Sequence, residues 1–429
     1  MKKLTTLFLT LFILITAYAP ATAQINFEDY FFDKTLRTDY TIGGNNEKSH
    51  LYFVQFKEEP YWGGSLVNLI DTFNYGDYRV QLFDSTQNKL IYSRGFSNLF
   101  VEWQDTKEAR QTPRSFYESV TTPYPKKPAV LKIQERQFDN AFKTVFTLQI
   151  KPDNIAIKKD KQTRFETTRI HYSGDHHKKL DVVIIPDGYT INDSVKFIED
   201  CERFADYFFE VEPFKTHKDK VNFHAVNAWS EESGTDIPGK DIRKNTILDS
   251  HFYTFGTERY LTTQNIKTLR DLAAYTPYDQ IYILVNTPKY GGGGIYNYYN
   301  LCSADHKLSG PVFTHEFGHA FAALADEYAY GFETAEELYN MSVEPWQVNI
   351  TNLVNFEEKW IDLVKEDTPI PTRETHKFKN IIGAFEGAGY VKKGIYRPMQ
   401  DCKMHSNNTN QFCPVCHKAV LDLLLFYSE

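Results

Sequence analysis

From residue 315 the chain reads His315-Glu316-Phe317-Gly318-His319. On a helix, residues four apart share one face, so two imidazoles from consecutive turns can hold one Zn²⁺ ion. Glu316, next to them, is placed to reach a water rather than the ion. It would act as general base, and the ion would lower that water's pKa to roughly 7. The flanks suit a helix: Pro311 fits a first turn, and Ala320, Ala322, Ala323 and Leu324 are helix formers. Five residues of this kind also occur on helices with two ordinary histidines, so a third donor matters. A catalytic zinc usually has three protein ligands and an open position. The next acidic residues are Asp326 and Glu327. On an unbroken helix Asp326 would lie about 10 Å further along the axis than His319. The helix must therefore end or bend first. Asp326 is taken as the third ligand and Glu327 as the alternative, with His376 and His405 as more distant candidates.

Two other groups could do chemistry. Gly291-Gly292-Gly293-Gly294 precedes the histidines. Such a run permits close backbone approach and could flank an edge strand holding extended polypeptide; a flexible loop is the other reading. No Gly-Lys-Ser/Thr follows, so it is not a phosphate loop. Cys402, Cys413 and Cys416 cluster beside His405 and His417. Cys413-Pro414-Val415-Cys416 has zinc-ligand or redox spacing. In an exported chain a disulfide from Cys402 to Cys413 or Cys416 is expected ahead of a structural zinc.

The start of the chain points to export. Met1-Lys2-Lys3, an apolar run from Leu7 to Ala17 and Ala21-Thr22-Ala23 together read as a signal peptide over 1–23. The run is shorter than the ~20 residues a bilayer needs, and no later stretch is apolar enough to span one.

The elements that must position these residues fall into two groups. Residues 24–160 hold short alternating runs, such as Leu51–Phe56, Tyr78–Phe83 and Lys143–Ile150, which predict an antiparallel β-sandwich. From 161 to 429 the pattern changes. Leu180–Ile185 is continuously apolar, as a strand buried on both faces would be, and Val221–Val226 and Ile281–Val285 look similar. A helical pattern after Asn192-Asp193 separates the first two, so an α/β sheet is expected. The whole chain has 429 residues, 41% hydrophobic and 24% charged, with 28 Tyr and 33 Phe. Those proportions exclude a disordered or collagenous chain. A formal charge of −8 with no long basic stretch excludes a nucleic-acid partner held by phosphate contacts.

The segment from His315 to Tyr328 resembles the signature of the M64 metallopeptidases, the IgA-peptidase family. Ile185-Pro186-Asp187-Gly188-Tyr189-Thr190, Glu232–Pro238 and Arg397-Pro398 leading to Cys402-Lys403-Met404 fit the same family. The resemblance covers about 175–429, and the β-rich segment before it looks like that family's N-terminal domain. It implies a metzincin-like zinc peptidase with His315 and His319 as ligands, Asp326 as third ligand and Glu316 as base. It also implies a Met in a tight turn beneath the metal. Met404 is the choice for that turn and Met399 the alternative. Many metzincins carry a Tyr two residues after this Met. Ser406 stands there instead, leaving Tyr396 and Tyr328 as candidates to assist at the oxyanion.

The sequence therefore reads as an exported zinc endopeptidase acting on a polypeptide substrate. A binding or adhesion protein with a degenerate zincin domain is the alternative, and a non-peptidic amide hydrolase a third reading. Substrate preference and oligomeric state are not written in it.

Overall fold

The computed structural model describes residues 25–161 and 163–429; the expected signal peptide lies outside these. Among the described residues, no helix is long and apolar enough to cross a membrane.

The N-terminal half begins with a short helix, α1 (Phe27–Tyr30), and is otherwise built from β1 (Phe31–Gly44), β2 (Ser49–Glu59), β3 (Tyr78–Asp84) and β4 (Lys89–Phe96). A second short helix, α2 (Leu99–Gln104), precedes β5 (Arg114–Pro125), β6 (Ala129–Arg136) and β7 (Phe142–Ile150). These strands form two wholly antiparallel sheets, ordered β2-β1-β5 and β4-β3-β6-β7. The alternating runs read from the sequence lie in β2, β3 and β7. Alternation buries one face of each sheet: Val80 and Leu82 of β3 and Leu131 and Ile133 of β6 share a core with Leu36 and Tyr40 of β1.

The second half is a mixed α/β unit. Its strands are β8 (Thr167–His171), β9 (Leu180–Asp187), β10 (Val221–Val226), β11 (Gln280–Val285), β12 (Gly292–Ile295) and β13 (Tyr299–Ser303). They form one sheet of order β12-β13-β11-β9-β10-β8. The four central strands are parallel, and the edge strands β12 and β8 run antiparallel to their neighbours. Three helices, α3 (Ser194–Phe209), α5 (Ser309–Ala322) and α6 (Pro414–Ser428), cover one face, while α4 (Ile266–Ala273) lies on the other. A small sheet of β14 (Phe332–Thr334), β15 (Phe385–Ala388) and β16 (Val391–Arg397) carries its own apolar cluster.

The apolar strands of the main sheet explain this layering. Val183 and Ile185 of β9 point into the core that also holds the N-terminal sheets, whereas Val182 and Ile184 point into the core under α3, α5 and α6. A strand buried on both faces cannot alternate apolar with polar, hence the unbroken runs. Asp193 directly precedes α3, and its carboxylate accepts from the N–H and hydroxyl of Thr190, each at 2.8 Å.

The halves are joined by charge as well as by core. Arg37 of β1 is fully buried and contacts Asp39 at 2.9 Å, Glu59 at 3.1 Å and Asp271 of α4 at 2.8 Å. Lys57 of β2 reaches the same Asp271 at 2.8 Å.

Candidate active site

Helix α5 carries the two histidines and ends where the sequence required an end. Ala323 takes the left-handed conformation (φ 53°), and its N–H donates to the His319 carbonyl at 2.9 Å while Leu324 N–H donates to Gly318 O at 3.2 Å. That closure turns the chain back, so Asp326 returns beside the histidines instead of continuing along the axis.

His315 Nδ1 lies 2.9 Å from the Lys403 carbonyl and His319 Nδ1 lies 2.6 Å from the Leu324 carbonyl. A carbonyl can only accept, so each Nδ1 carries a hydrogen and each ring turns its Nε2 inward. The two Nε2 atoms are 3.1 Å apart, and Asp326 Oδ1 lies 3.1 Å from one and 3.2 Å from the other. Three potential ligand atoms thus converge on one point, and Oδ1 receives no hydrogen bond. Such a group repels itself unless a cation or a proton sits between its members. The nitrogen and oxygen set, held by carbonyls behind it, fits a transition-metal ion with an open position.

The electrostatics show how strongly this group attracts positive charge, whether a proton or a cation. Burial pushes the His319 imidazole down, but the Asp326 carboxylate beside it overrides this and holds it up to about 9. Burial likewise pushes Asp326 up, and the two imidazoles reverse it to well below the usual carboxylate range. Glu316 is raised by burial, with His315 and His319 pulling the other way.

Glu316 faces β12. A Cβ on Gly292 would stand 2.7 Å from Glu316 Oε1, and one on Gly294 would stand 2.2 Å from the Glu316 carbonyl oxygen. The glycine run is therefore neither a loose loop nor a phosphate cradle; it is the edge strand that lies directly over the helix. An open cleft of about 1320 Å³ runs past it, lined by His315, Glu316, His319 and Asp326 and, from the N-terminal half, by Glu102 and Arg136. Burial pushes the Glu102 carboxyl up to about 7, against a hydrogen bond from the Tyr260 hydroxyl.

The structure sorts the remaining candidates. Glu327 turns away from the histidines, accepting from Asn349 Nδ2 at 3.1 Å and from the Cys416 thiol at 3.0 Å. His376 and His405 are not in the converging group. Met404 is fully buried, with its sulfur 2.7 Å from where a Gly318 Cβ would stand, so it packs against the helix beside His319; Met399 is only half-buried. Tyr328 lines the cleft, while Tyr396 bridges to Thr351 and packs at the edge of the helical core.

The expected disulfide is not formed. All five cysteines are buried free thiols, and Cys402, Cys413 and Cys416 gather around Glu327 instead. Spacing along the chain can bring thiols together, but it does not distinguish a bridge from a shared center.

Sequence reading missed two supports of Asp326. Tyr390 donates its hydroxyl to Asp326 Oδ2, and Gly389 N–H donates to the Asp326 carbonyl at 2.9 Å. Asn349 grips the same loop, exchanging hydrogen bonds of 2.8 Å with both the N–H and the carbonyl of Ala325. The available signal was Gly387-Ala388-Gly389-Tyr390, a tight turn in which Gly387, Gly389 and Tyr390 have φ of 97°, 57° and 67°. The turn was legible; its target was not.

Two family models match the chain. The family model described as IgA Peptidase M64 matches residues 168–380 and 373–424. The model described as Peptidase M64 N-terminus matches residues 26–147. No curated protein matches the chain. The two family models together cover both halves and most of the described residues, and the chain belongs to the M64 family of metallopeptidases.

Proposed function

We propose that this chain is an exported zinc endopeptidase, with a β-sandwich domain over 24–160 and a zincin-like, metzincin-related catalytic domain over 161–429. The observation that carries the reading is the convergence of His315 Nε2, His319 Nε2 and Asp326 Oδ1 beside Glu316 at the cleft. These three residues would hold the ion, which when bound supplies a Lewis acid for the scissile carbonyl and makes water more acidic. Glu316 takes the proton of the attacking water and passes it to the leaving amine. Its carboxylate, raised by burial, is the better base for that position. Tyr390 and the Gly389 N–H keep Asp326 aimed at the imidazoles. Polypeptide lies alongside β12 in the cleft, which Glu102 and Arg136 of the N-terminal half also line. The leader through Ala23 supports export.

The test is Glu316→Ala assayed on a peptide library. Metal content should stay at the wild-type level while cleavage falls on the order of 10²–10⁴-fold. Cleavage at the wild-type rate would refute the assignment. Wild-type protein that binds no metal, and cleaves nothing after zinc is added, would favor the binding-protein reading instead.

A further inference from the structure

Behind the His315, His319 and Asp326 group lies a second set of donors that the proposed reaction does not use. Cys402, Cys413, Cys416 and Glu327 are all buried, and one donor atom from each lies within 4.8 Å of all the others. Cys413 is the N-cap of α6 and Cys416 stands in its first turn, with Pro414 at the helix start. Both sulfurs therefore sit at the positive end of a helix dipole, which favors thiolate. Cys402 arrives from the segment ahead of Met404, and Glu327 from the loop after α5. Polar support is already in place: the Cys413 N–H donates to Cys402 Sγ at 3.2 Å, and Asn349 Nδ2 donates to Glu327 Oε1 at 3.1 Å. Yet Glu327 Oε2 is buried with no partner at all. An orphaned carboxylate oxygen in a dry interior is costly unless a cation answers it.

We propose that Cys402, Cys413, Cys416 and Glu327 hold a structural metal ion, zinc by the softness and number of the sulfur donors. A disulfide would use two sulfurs and leave the third thiol and the carboxylate unanswered. A tetrahedral ion uses all four donors and leaves no open position, as structural zinc sites do. Three thiolates and a carboxylate around a divalent ion are formally −2, and the Cys413 N–H and the Asn349 amide already point at that charge. The ion would tie together three segments that build the neighboring site. Glu327 follows Asp326 directly, and its N–H donates to the Met404 carbonyl at 2.8 Å. Lys403, between Cys402 and Met404, supplies the carbonyl that orients His315.

The experiment is metal stoichiometry on the full chain purified from zinc-supplemented culture without chelator. Wild type should hold two ions per chain, and a His315→Ala, His319→Ala double variant should keep one. Reconstituted with cobalt, that double variant should show strong near-ultraviolet thiolate-to-metal absorption. Mass analysis of the unfolded wild type should show five free thiols. Cys413→Ser should lose the second ion; if it does not fold, the double variant and the thiol count still decide. One ion in wild type that disappears in the double variant, together with a mass two hydrogens lower across Cys402–Cys416, would overturn the proposal. That result leaves the peptidase reading intact. Conversely, a single sulfur-bound ion retained in the double variant would support this site and overturn the other.

Discussion

Tyr390→Phe isolates one contact behind the converging donors. Tyr390 donates its hydroxyl to Asp326 Oδ2, the oxygen opposite the one that faces the imidazoles. Phe keeps the ring, which packs 5.5 Å from Tyr328 and 6.0 Å from Tyr330. Only the hydrogen bond is lost. A hydrogen bond to a charged group contributes about 1.5–3 kcal/mol. Tyr390 as a residue is 40% exposed and lines the open cleft, so water can take the vacated place and the lower end applies. A loss of about 1.5–2 kcal/mol corresponds to roughly 10–30-fold weaker metal binding, in the range typical of groups that orient metal ligands. The assay is return of peptide hydrolysis when chelator-stripped enzyme is titrated with buffered free zinc. The midpoint should move by that factor toward higher zinc, with kcat at saturation changed by no more than about threefold, because Tyr390 touches the carboxylate and not the reacting atoms. An unchanged midpoint with a kcat loss of about 100-fold or more would refute this reasoning and place Tyr390 on the substrate instead.

Four further substitutions test other parts of the structure. Gly292→Ala places a methyl 2.7 Å from the tip of Glu316, a side chain that can swing aside; kcat should fall by on the order of tenfold or more with the fold and metal retained. Gly294→Ala instead meets the Glu316 backbone carbonyl at 2.2 Å and should cost about 1–3 kcal/mol in urea unfolding, so equal stability of the two variants would contradict the packing. Arg37→Ala leaves Asp39, Glu59 and Asp271 without their shared counter-charge and should destabilize by about 3–5 kcal/mol in denaturant titration; a loss below about 1 kcal/mol would show that the network is solvated. Burial pushes the Glu118 carboxyl from 4.5 up to about 8, against Tyr298 and Arg270. Between those values the folded chain binds more protons than the unfolded one, so stability falls as pH rises through that window, by on the order of 3 kcal/mol by pH 7. Glu118→Gln should therefore be more stable than wild type near pH 8 and lose that gain near pH 5, and a gain independent of pH would exclude the mechanism.

Much of α5 and the sheet was legible in the chain because it depends on local geometry. Four-residue spacing puts His315 and His319 on one face of any helix, and an unbroken helix would carry Asp326 too far, so a break had to intervene. Ala323 supplies it. Unbroken apolar runs such as Leu180–Ile185 marked strands covered on both sides, and β9 is such a strand. Other features depend on segments far apart in sequence meeting in space, for which spacing carries no information. Tyr390 stands 64 residues beyond the carboxylate it holds. Glu102 reaches the cleft from the other half of the chain. The glycine run could have been a loop until β13 paired with it and Glu316 lay beneath it. Spacing drew Cys402, Cys413 and Cys416 together, but only packing brought Glu327 into their midst, because the turn that aims Asp326 at the histidines sends the next side chain to the opposite side. Residue types and periodicity thus determined which groups could do chemistry and on which elements they sit. The tertiary structure decided which of them converge, since convergence is set by how helix, edge strand and hairpin turn pack against a common core.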